Sequence, residues 1–162
     1  MKKEKKVSII IRTKNEERWI NSCLRNVFKQ SYKNIEVIIV DNNSTDDSCD
    51  MVKDNFPSVR LVENKKNVGF STANNQGVAI ANGDYVCILN PDTAVAEDVF
   101  TKALQYAYSL KDLGALGCYL MDGTGCFLPE SKRNLPTPLV SALKLLGFSK
   151  KYYADAVSRN EK

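Results

Sequence analysis

Residues 83–93 read Gly-Asp-Tyr-Val-Cys-Ile-Leu-Asn-Pro-Asp-Thr, and this stretch decides the fold. Its middle, residues 85–89, is a short apolar run that is typical of a strand buried on both faces of a parallel sheet. Asp92 follows just beyond the run, at the point where open α/β sheets place their ligands. A carboxylate on a turn stiffened by Pro91 is suited to hold a divalent cation and, through it, a diphosphate. An ordinary turn before a helix is the other interpretation, because Asn, Pro and Asp are common turn residues.

The composition predicts a single globular domain. The chain has 162 residues, and 43% of them are hydrophobic, which is enough to build a core. The net charge of +4 is mild and predicts no nucleic-acid partner. Part of the excess lies in residues 1–6, which contain four lysines and are predicted to form a flexible basic tail.

The cysteine and histidine content restricts the kinds of metal site and catalytic site that the chain can form. The five cysteines form no Cys-x-x-Cys pair, which favours reduced, buried thiols in a cytoplasmic protein. The absence of histidine excludes the common zinc sites and the histidine-based catalytic triads. No apolar run approaches the length of a transmembrane helix or a signal-peptide core, which also predicts a cytoplasmic location.

Strand and helix patterns alternate along the chain. The predicted strands cover residues 7–12, 36–40, 59–62, 85–89 and 115–120. The predicted helices cover residues 16–28, 44–56, 71–81 and 96–110. This alternation predicts an α/β fold with a mainly parallel sheet, right-handed crossovers and helices on both faces.

Several local signals refine these elements. Asn15 is expected to be the N-cap of the first helix, and Ser44 with Asp47 has the spacing of a capping box. The apolar face of the first helix is expected to be core, and it comprises Trp19, Ile20, Cys23, Leu24, Val27 and Phe28. Asp122 and Gly123 predict a hairpin turn whose return strand is residues 126–128. Residues 139–148 predict an amphipathic helix that packs on its own domain or on a missing one, with peripheral membrane contact as the alternative.

Polar residues follow three of the predicted strands, at residues 13–16, 41–43 and 90–93. The carboxyl ends of parallel strands share one edge, so Asp41 and Asp92 should face one crevice. Asp41 is suited to accept a hydrogen bond from the N–H of a pyrimidine ring. No Gly-x-Gly-x-x-Gly and no Gly-x-x-x-x-Gly-Lys-Ser/Thr is present, which argues against a dinucleotide Rossmann domain and a P-loop NTPase.

The combined pattern of residues 7–16, 40–46, 67–77, 82–85 and 89–93 resembles the inverting family 2 glycosyltransferases of the GT-A fold. Asn-Pro-Asp-Thr at residues 90–93 and Ser-Lys-Arg at residues 131–133 are similar to the rhamnosyltransferase-like branch. That branch uses deoxythymidine-diphosphate-rhamnose or related donors.

The resemblance implies a Rossmann-like GT-A domain over residues 7–128 that binds a nucleotide-diphosphate sugar. It also implies transfer of the sugar, with inversion, to the hydroxyl of a glycan or lipid-linked acceptor in cell-surface polysaccharide synthesis. Mg²⁺ or Mn²⁺ is the implied cofactor, held by Asp92. Asn90 replaces the first acid of the family's Asp-x-Asp motif, which weakens the expectation of metal dependence. The implied donor-binding residues are Thr13, Glu16, Asp41, Asn43, Asn67, Gly69, Asn74, Asn90 and Asp92.

The family's catalytic base lies in an acceptor-side half, in a Glu-Asp-type motif that does not occur after residue 128. Residues 129–162 are therefore expected to begin that half in a truncated chain. A sugar-nucleotide-binding module without catalysis remains the alternative function. A nucleotidyltransferase is disfavoured, because residues 13–16 are not the Gly-rich loop which that class needs.

Overall fold

The structure, a computed structural model, describes residues 4–128. They belong to two compact units, and the division falls after Ser109. The motif at residues 131–133 and the helix predicted at residues 139–148 lie outside the described residues.

Residues 4–109 contain a four-stranded parallel sheet, as the alternation of patterns predicted. Its strands are β1 (Val7–Thr13), β2 (Ile35–Asp41), β3 (Arg60–Glu63) and β4 (Tyr85–Leu89), in the order β3-β2-β1-β4. The helices are α1 (Glu17–Phe28), α2 (Ser48–Asn55), α3 (Phe70–Ala79) and α4 (Val99–Ser109). Within residues 4–128, none of the helices has the length and apolar character needed to cross a bilayer.

Alternating side chains of β1 and β2 build a core on each face of the sheet. Ile9 and Ile11 of β1 face the larger core, which α1, α2 and α4 cover. Ile10, between them, faces the smaller core under α3. The helices therefore lie on both faces, as expected.

The apolar face of α1 is narrower than predicted. Ile20, Cys23, Leu24 and Val27 are buried, whereas Trp19 is 54% exposed. Phe28 is also exposed, and its ring stacks on Phe56. The prediction of burial was wrong for these two aromatic residues, because they lie at the margins of the stripe.

β4 is an edge strand of the described sheet, and the prediction that both its faces are buried was wrong. Tyr85, Cys87 and Leu89 face the larger core, whereas Val86 and Ile88 are 44% and 47% exposed. The cause is topological, because α3 packs over β1 and β2 and leaves this face of β4 open. An unbroken apolar run does not distinguish a central strand from an edge strand whose second face is uncovered.

The amino end of β4 is tied to β1 and β2 by a polar cluster. The Ser8 hydroxyl donates to the Glu36 carboxylate at 2.5 Å and accepts from the Gly83 N–H at 2.8 Å. Glu36 also accepts from the Asn82 N–H at 2.7 Å. Burial alone would raise the pKa of Glu36, but these hydrogen bonds and the Lys6 ammonium lower it. The cluster sets β4 beside β1 and so fixes where Asp92 emerges.

The first two helices do not use the predicted side-chain caps. Helix α1 begins after Glu16 and α2 begins after Asp47, and neither has a side-chain cap hydrogen bond. Asn15 has a positive φ of 54°, and its side chain accepts from the Thr45 N–H at 2.8 Å. In return, the Ser44 hydroxyl accepts from the Asn15 N–H at 2.8 Å. The predicted capping residues therefore join the loop after β1 to the loop after β2.

The described part of the second unit, residues 110–128, contains only a short hairpin. The strand predicted at residues 115–120 does not form, and one antiparallel bridge joins Met121 to Phe127. The turn between them forms as predicted, and the Asp122 carboxylate accepts from the N–H groups of Thr124 and Cys126. Cys118 is exposed, contrary to the prediction that it is buried.

Candidate functional site

The carboxyl ends of the strands place the predicted site residues along one edge of the sheet, here called the carboxyl edge. The parallel register aligns Thr13 of β1 with Asp41 of β2, and Asp41 with Glu63 of β3. β4 ends at Leu89, beside Ile11, and Asp92 follows in the next loop. Strands in a sheet are spaced by about 4.8 Å, so the ends of β2 and β4 lie about 10 Å apart with β1 between them.

Thr13 and Asp41, at the carboxyl edge, each have a buried polar atom without a hydrogen-bond partner. The Asp41 side chain accepts from the Ser44 N–H at 2.9 Å through Oδ2, which orients the carboxylate. Its Oδ1 and the Thr13 Oγ1 are buried and unsatisfied. Burial of an unsatisfied polar atom costs about 1–3 kcal/mol, so such atoms are uncommon unless a water molecule, an ion or a ligand completes them. Thr13 and Asp41 are paired in the register, which makes the two atoms a candidate recognition point.

Asn42 organises the loop that carries Asn67 and Gly69, and sequence reasoning missed this role. The Asn42 side chain is 1% exposed; it donates to Asn67 Oδ1 at 2.7 Å and to the Gly69 carbonyl at 3.2 Å. Its Oδ1 accepts from the Val68 N–H at 3.0 Å. The polar run at residues 41–43 was the available signal, but it did not show that the middle residue points into the protein.

The other predicted donor-binding residues occupy different surroundings. Glu16 precedes α1 at the carboxyl edge, and Asn43 is an exposed residue with a positive φ of 66°. Gly69 is the N-cap of α3, with a positive φ of 86°. Asn74 is buried one turn further along α3, and its side chain donates to the Phe70 carbonyl at 3.1 Å. The structure therefore places Asn74 in the body of α3 and the other three at loop positions beside the edge.

The loop after β4 packs against α1. Pro91 is buried, whereas Asn90 and Asp92 are exposed. The Cys23 thiol of α1 donates to the Asn90 carbonyl at 3.8 Å. Burial, and then the nearby charge of Asp92, raises the pKa of Cys23 to about 11, so this thiol stays protonated at neutral pH. The contact fixes the loop while leaving the Asp92 carboxylate accessible.

The described side chains fit a divalent cation only in part. Within residues 4–128, no three His, Cys, Asp or Glu side chains come together as metal ligands. Asp92 offers one carboxylate, and Asn90 offers an amide oxygen. Mg²⁺ commonly takes one or two carboxylates and completes its shell with substrate phosphates and water. Asp92 therefore fits a cation that arrives with a diphosphate, not one held by the protein alone.

The β2–β3 side of the carboxyl edge is strongly acidic. An open depression of about 430 Å³ there is lined by Asp41, Asn43, Ser44, Thr45, Asp46, Asp47, Cys49, Asp50, Glu63 and Asn64. Burial, the charges of Asp41 and Glu63, and an interaction of the thiol with the Asp41 carboxylate raise the pKa of Cys49 to about 12. Five carboxylates line this depression, and the Lys53 ammonium pairs with two of them, Glu63 at 3.0 Å and Asp50 at 3.7 Å; the lining stays net negative, which disfavours a phosphate group there. An anionic ligand bound by Asp41 would therefore extend away from it, towards β1 and β4.

The comparison with protein families decides the classification. Residues 8–154 match the family model described as glycosyl transferase family 2. The chain belongs to glycosyl transferase family 2. The resemblance inferred from the sequence is thus confirmed at the level of the family.

Curated members of the family show how far the similarity extends. The glycosyltransferase GlyG of Streptococcus pneumoniae is 34% identical over 104 residues, which are 61% of this chain and 34% of GlyG. The uncharacterized glycosyltransferase YibD of Escherichia coli is 30% identical over 144 residues, which are 85% of this chain and 40% of YibD. The chain thus spans about two fifths or less of the length of these two relatives.

Solved structures of other glycosyltransferases confirm the GT-A fold. The mannosyltransferase PcManGT from Pyrobaculum calidifontis, in complex with GDP-Man and Mn²⁺, has a TM-score of 0.61 and 29% identity over 65% of this chain. TarS of S. aureus, in complex with UDP-GlcNAc, has a TM-score of 0.60 and 25% identity over 64% of this chain. The matches cover 33% and 31% of those two chains.

Proposed function

We propose that this family 2 chain binds a nucleotide-diphosphate sugar across the carboxyl edge and serves as the donor-binding part of an inverting glycosyltransferase. The observation that carries the proposal is the pair of buried, unsatisfied atoms, Asp41 Oδ1 and Thr13 Oγ1, at adjacent strand ends. Asp41 accepts a hydrogen bond from the N–H of the base. The sugar diphosphate then lies towards β4, away from the acidic depression.

The reaction follows from this placement. The oxygen of an acceptor hydroxyl attacks the anomeric carbon from the face opposite the diphosphate, and the new C–O bond forms as the bond to phosphate breaks. The diphosphate leaves with the electron pair, and a general base takes the hydroxyl proton. A divalent cation bound by Asp92 would supply positive charge to the leaving group. The acceptor is a glycan or a lipid-linked glycan, in keeping with cell-surface polysaccharide synthesis.

Several features support this proposal. PcManGT is in complex with GDP-Man and Mn²⁺, and TarS is in complex with UDP-GlcNAc. GgaB, a Bacillus subtilis protein named for minor teichoic acid biosynthesis, is 28% identical over 124 residues. The Asn-Pro-Asp-Thr sequence after β4 favours a deoxythymidine-diphosphate sugar as the first donor to test. Residues 7–128 form the donor-binding domain in this proposal, and residues 129–162 lead towards the acceptor side.

Titration calorimetry with UDP, GDP and dTDP tests the binding step. We expect Asp41→Asn to weaken the preferred nucleotide by about tenfold to 100-fold, because a hydrogen bond to a charged group contributes about 1.5–3 kcal/mol. This substitution keeps an oxygen for the Ser44 N–H and removes the charge that faces the base. Asp92→Asn should weaken binding only when Mn²⁺ is present.

The matched control is Asp54→Asn, which removes the same charge from an exposed residue of α2 and should leave the affinity unchanged. Wild-type chain that binds none of the three nucleotides, with or without Mn²⁺, would overturn the proposal. Equal affinity for wild-type and Asp41→Asn chains would remove Asp41 from the site.

A binding module without catalysis is the second candidate, because the buried atoms of Thr13 and Asp41 account for recognition of a nucleotide but not for deprotonation of an acceptor. It predicts nucleotide-sugar binding with no release of nucleoside diphosphate. Hydrolysis or transfer of the bound donor, measured by coupled detection of the released diphosphate, would exclude this candidate in favour of the transferase.

A further inference from the structure

Arg12 is a half-buried cation at the carboxyl edge, and the reaction proposed above assigns it no role. It is the penultimate residue of β1 and pairs in register with Val40 of β2. Alternation along the strand places its side chain on the α3 face, with Ile10. Its guanidinium lies over the ring of Phe70, the first residue of α3, with Cζ 5.7 Å from the ring centroid.

The guanidinium has no anionic partner among residues 4–128. None of the ion pairs in that part of the chain involves Arg12. Its Nε is buried and makes no hydrogen bond. An arginine carries five N–H donors in a rigid fork that matches phosphate and carboxylate oxygens. A buried donor on such a fork, held by an aromatic ring but left unpaired, points to an anionic ligand.

Arg12 lies on the strand between the proposed contacts, with its side chain on the α3 face of the sheet, whereas alternation places Thr13 and Asp41 on the face of the larger core. β1 lies between β2, which carries Asp41, and β4, which leads to Asp92. The acidic depression on the β2–β3 side disfavours phosphate, so we expect a nucleotide whose base contacts Asp41 to direct its phosphates across the end of β1, where the long Arg12 side chain can reach them from the α3 face. Among the described residues no cluster of carboxylates surrounds Asp92, so a cation there would leave much of the diphosphate charge for the protein to neutralise.

We propose that Arg12, oriented by the Phe70 ring, binds the diphosphate of the donor and supplies countercharge that does not depend on a metal ion. This inference rests on the proposed function and names the residue that holds the phosphates. Arg12 binds the bridging and terminal phosphate oxygens through its fork, and it stabilises the same charge when the diphosphate leaves.

The test compares the affinities of nucleosides and of their diphosphates in EDTA, so that no metal ion neutralises the diphosphate in place of the guanidinium. Uridine with UDP, guanosine with GDP, and thymidine with dTDP are titrated into the full 162-residue chain. We expect Arg12→Gln to weaken the preferred diphosphate by about tenfold to 100-fold, because hydrogen bonds to charged groups are the strong ones. The matching nucleoside should bind within about twofold of wild type, since its affinity rests on Asp41.

Two further variants separate charge from packing. Arg12→Lys keeps the charge but loses the fork, and its affinity for the diphosphate should fall between wild type and Arg12→Gln. Phe70→Leu removes the ring from an exposed position and should weaken the diphosphate by about twofold to fivefold, the strength of a surface cation–π contact. If Arg12→Gln does not fold, as judged by circular dichroism, Phe70→Leu and Arg12→Lys decide the question.

The control is Arg25→Gln, which removes the same charge from an arginine at the other end of α1 that bonds Asn21. Equal diphosphate affinity for wild-type and Arg12→Gln chains would overturn the role of Arg12 and leave the proposed function standing. An equal loss of nucleoside and diphosphate affinity would also overturn it, in favour of a purely structural role. Wild-type chain that binds neither ligand would overturn the proposed function, and the role of Arg12 with it.

Discussion

Asn42→Asp is expected to lower the free energy of unfolding by about 3 kcal/mol, although the two side chains have the same shape. The Asn42 amide donates to Asn67 Oδ1 and to the Gly69 carbonyl, both of which are acceptors. A carboxylate cannot donate to either, so both acceptors would lose their partner and the new charge would be buried beside them. In urea unfolding at pH 8, the midpoint should fall without a change in slope.

The pH dependence of this variant has a definite sign. Burial among acceptors raises the pKa of the introduced carboxyl above its value in the unfolded chain, because only the protonated form can donate. The loss in free energy of unfolding is therefore smallest below about pH 4, the ordinary pKa of such a group, and it increases as the pH rises. Asn75→Asp, at an exposed position on α3, is the matched control and should change stability by less than about 0.5 kcal/mol. A stability difference from wild type that is the same at pH 4 and pH 8 would contradict the hydrogen-bond assignment.

Gly77→Val is expected to destabilise the fold by about 3 kcal/mol or more, because α3 lies too close to the sheet for a side chain there. A Cβ on Gly77 would overlap Cγ2 of Ile10 and lie 3.3 Å from Cγ2 of Val40. Both side chains are fully buried, so neither can move into solvent. Thermal unfolding should show a decrease in Tm of about 6–12 °C for a domain of this size.

Ala79→Val is the control for Gly77→Val, because it places the same β-branched residue in α3 at an exposed position. It should lower stability only by the helix propensity of valine, about 0.5 kcal/mol. A loss for Gly77→Val no larger than that for Ala79→Val would contradict the claim that contact with the sheet requires a glycine there, since helix propensity by itself favours valine over glycine.

The fold was largely predictable from the sequence because its signals are periodic. The apolar runs of β1 and β2 and the helical stripe of α1 each repeat over several residues, and alternation of the two patterns implies a parallel sheet. The burial of β4 was not predictable in the same way. Its apolar run satisfies the pattern of a central strand, but the exposure of Val86 and Ile88 depends on where α3 packs.

The sequence signals for helix caps gave wrong predictions where the side chains bond a distant loop instead of their own helix. Asn15 and Ser44 have the residue types of helix caps, and the backbone groups they bond lie about 30 residues away in the chain. Sequence spacing identifies a cap within one helix, whereas it carries no information on which loop lies opposite. Asn42 was missed for the same reason, because its partners lie on the loop before α3.

The candidate site was predictable as a set of strand ends but not as a distribution of charge. Asp41 and Asp92 were expected at one edge because both follow parallel strands, and the topology places them on either side of β1. The unpaired guanidinium of Arg12 and the acidic depression beside Asp41 emerge only when side chains of several elements come together. In the proposed function, these two features set the direction in which the diphosphate would lie.

Amide chemical shifts of the ¹⁵N-labelled chain, titrated with its preferred nucleoside diphosphate, test the binding edge most directly. The proposal predicts the largest shifts at Thr13, Asp41 and Asp92, which lie at the carboxyl ends of three strands. The amides of Val7, Ile35 and Tyr85, at the amino ends of the same strands, should change little. Largest shifts at the amino ends, or shifts confined to a single strand, would contradict the claim that one nucleotide spans the carboxyl edge.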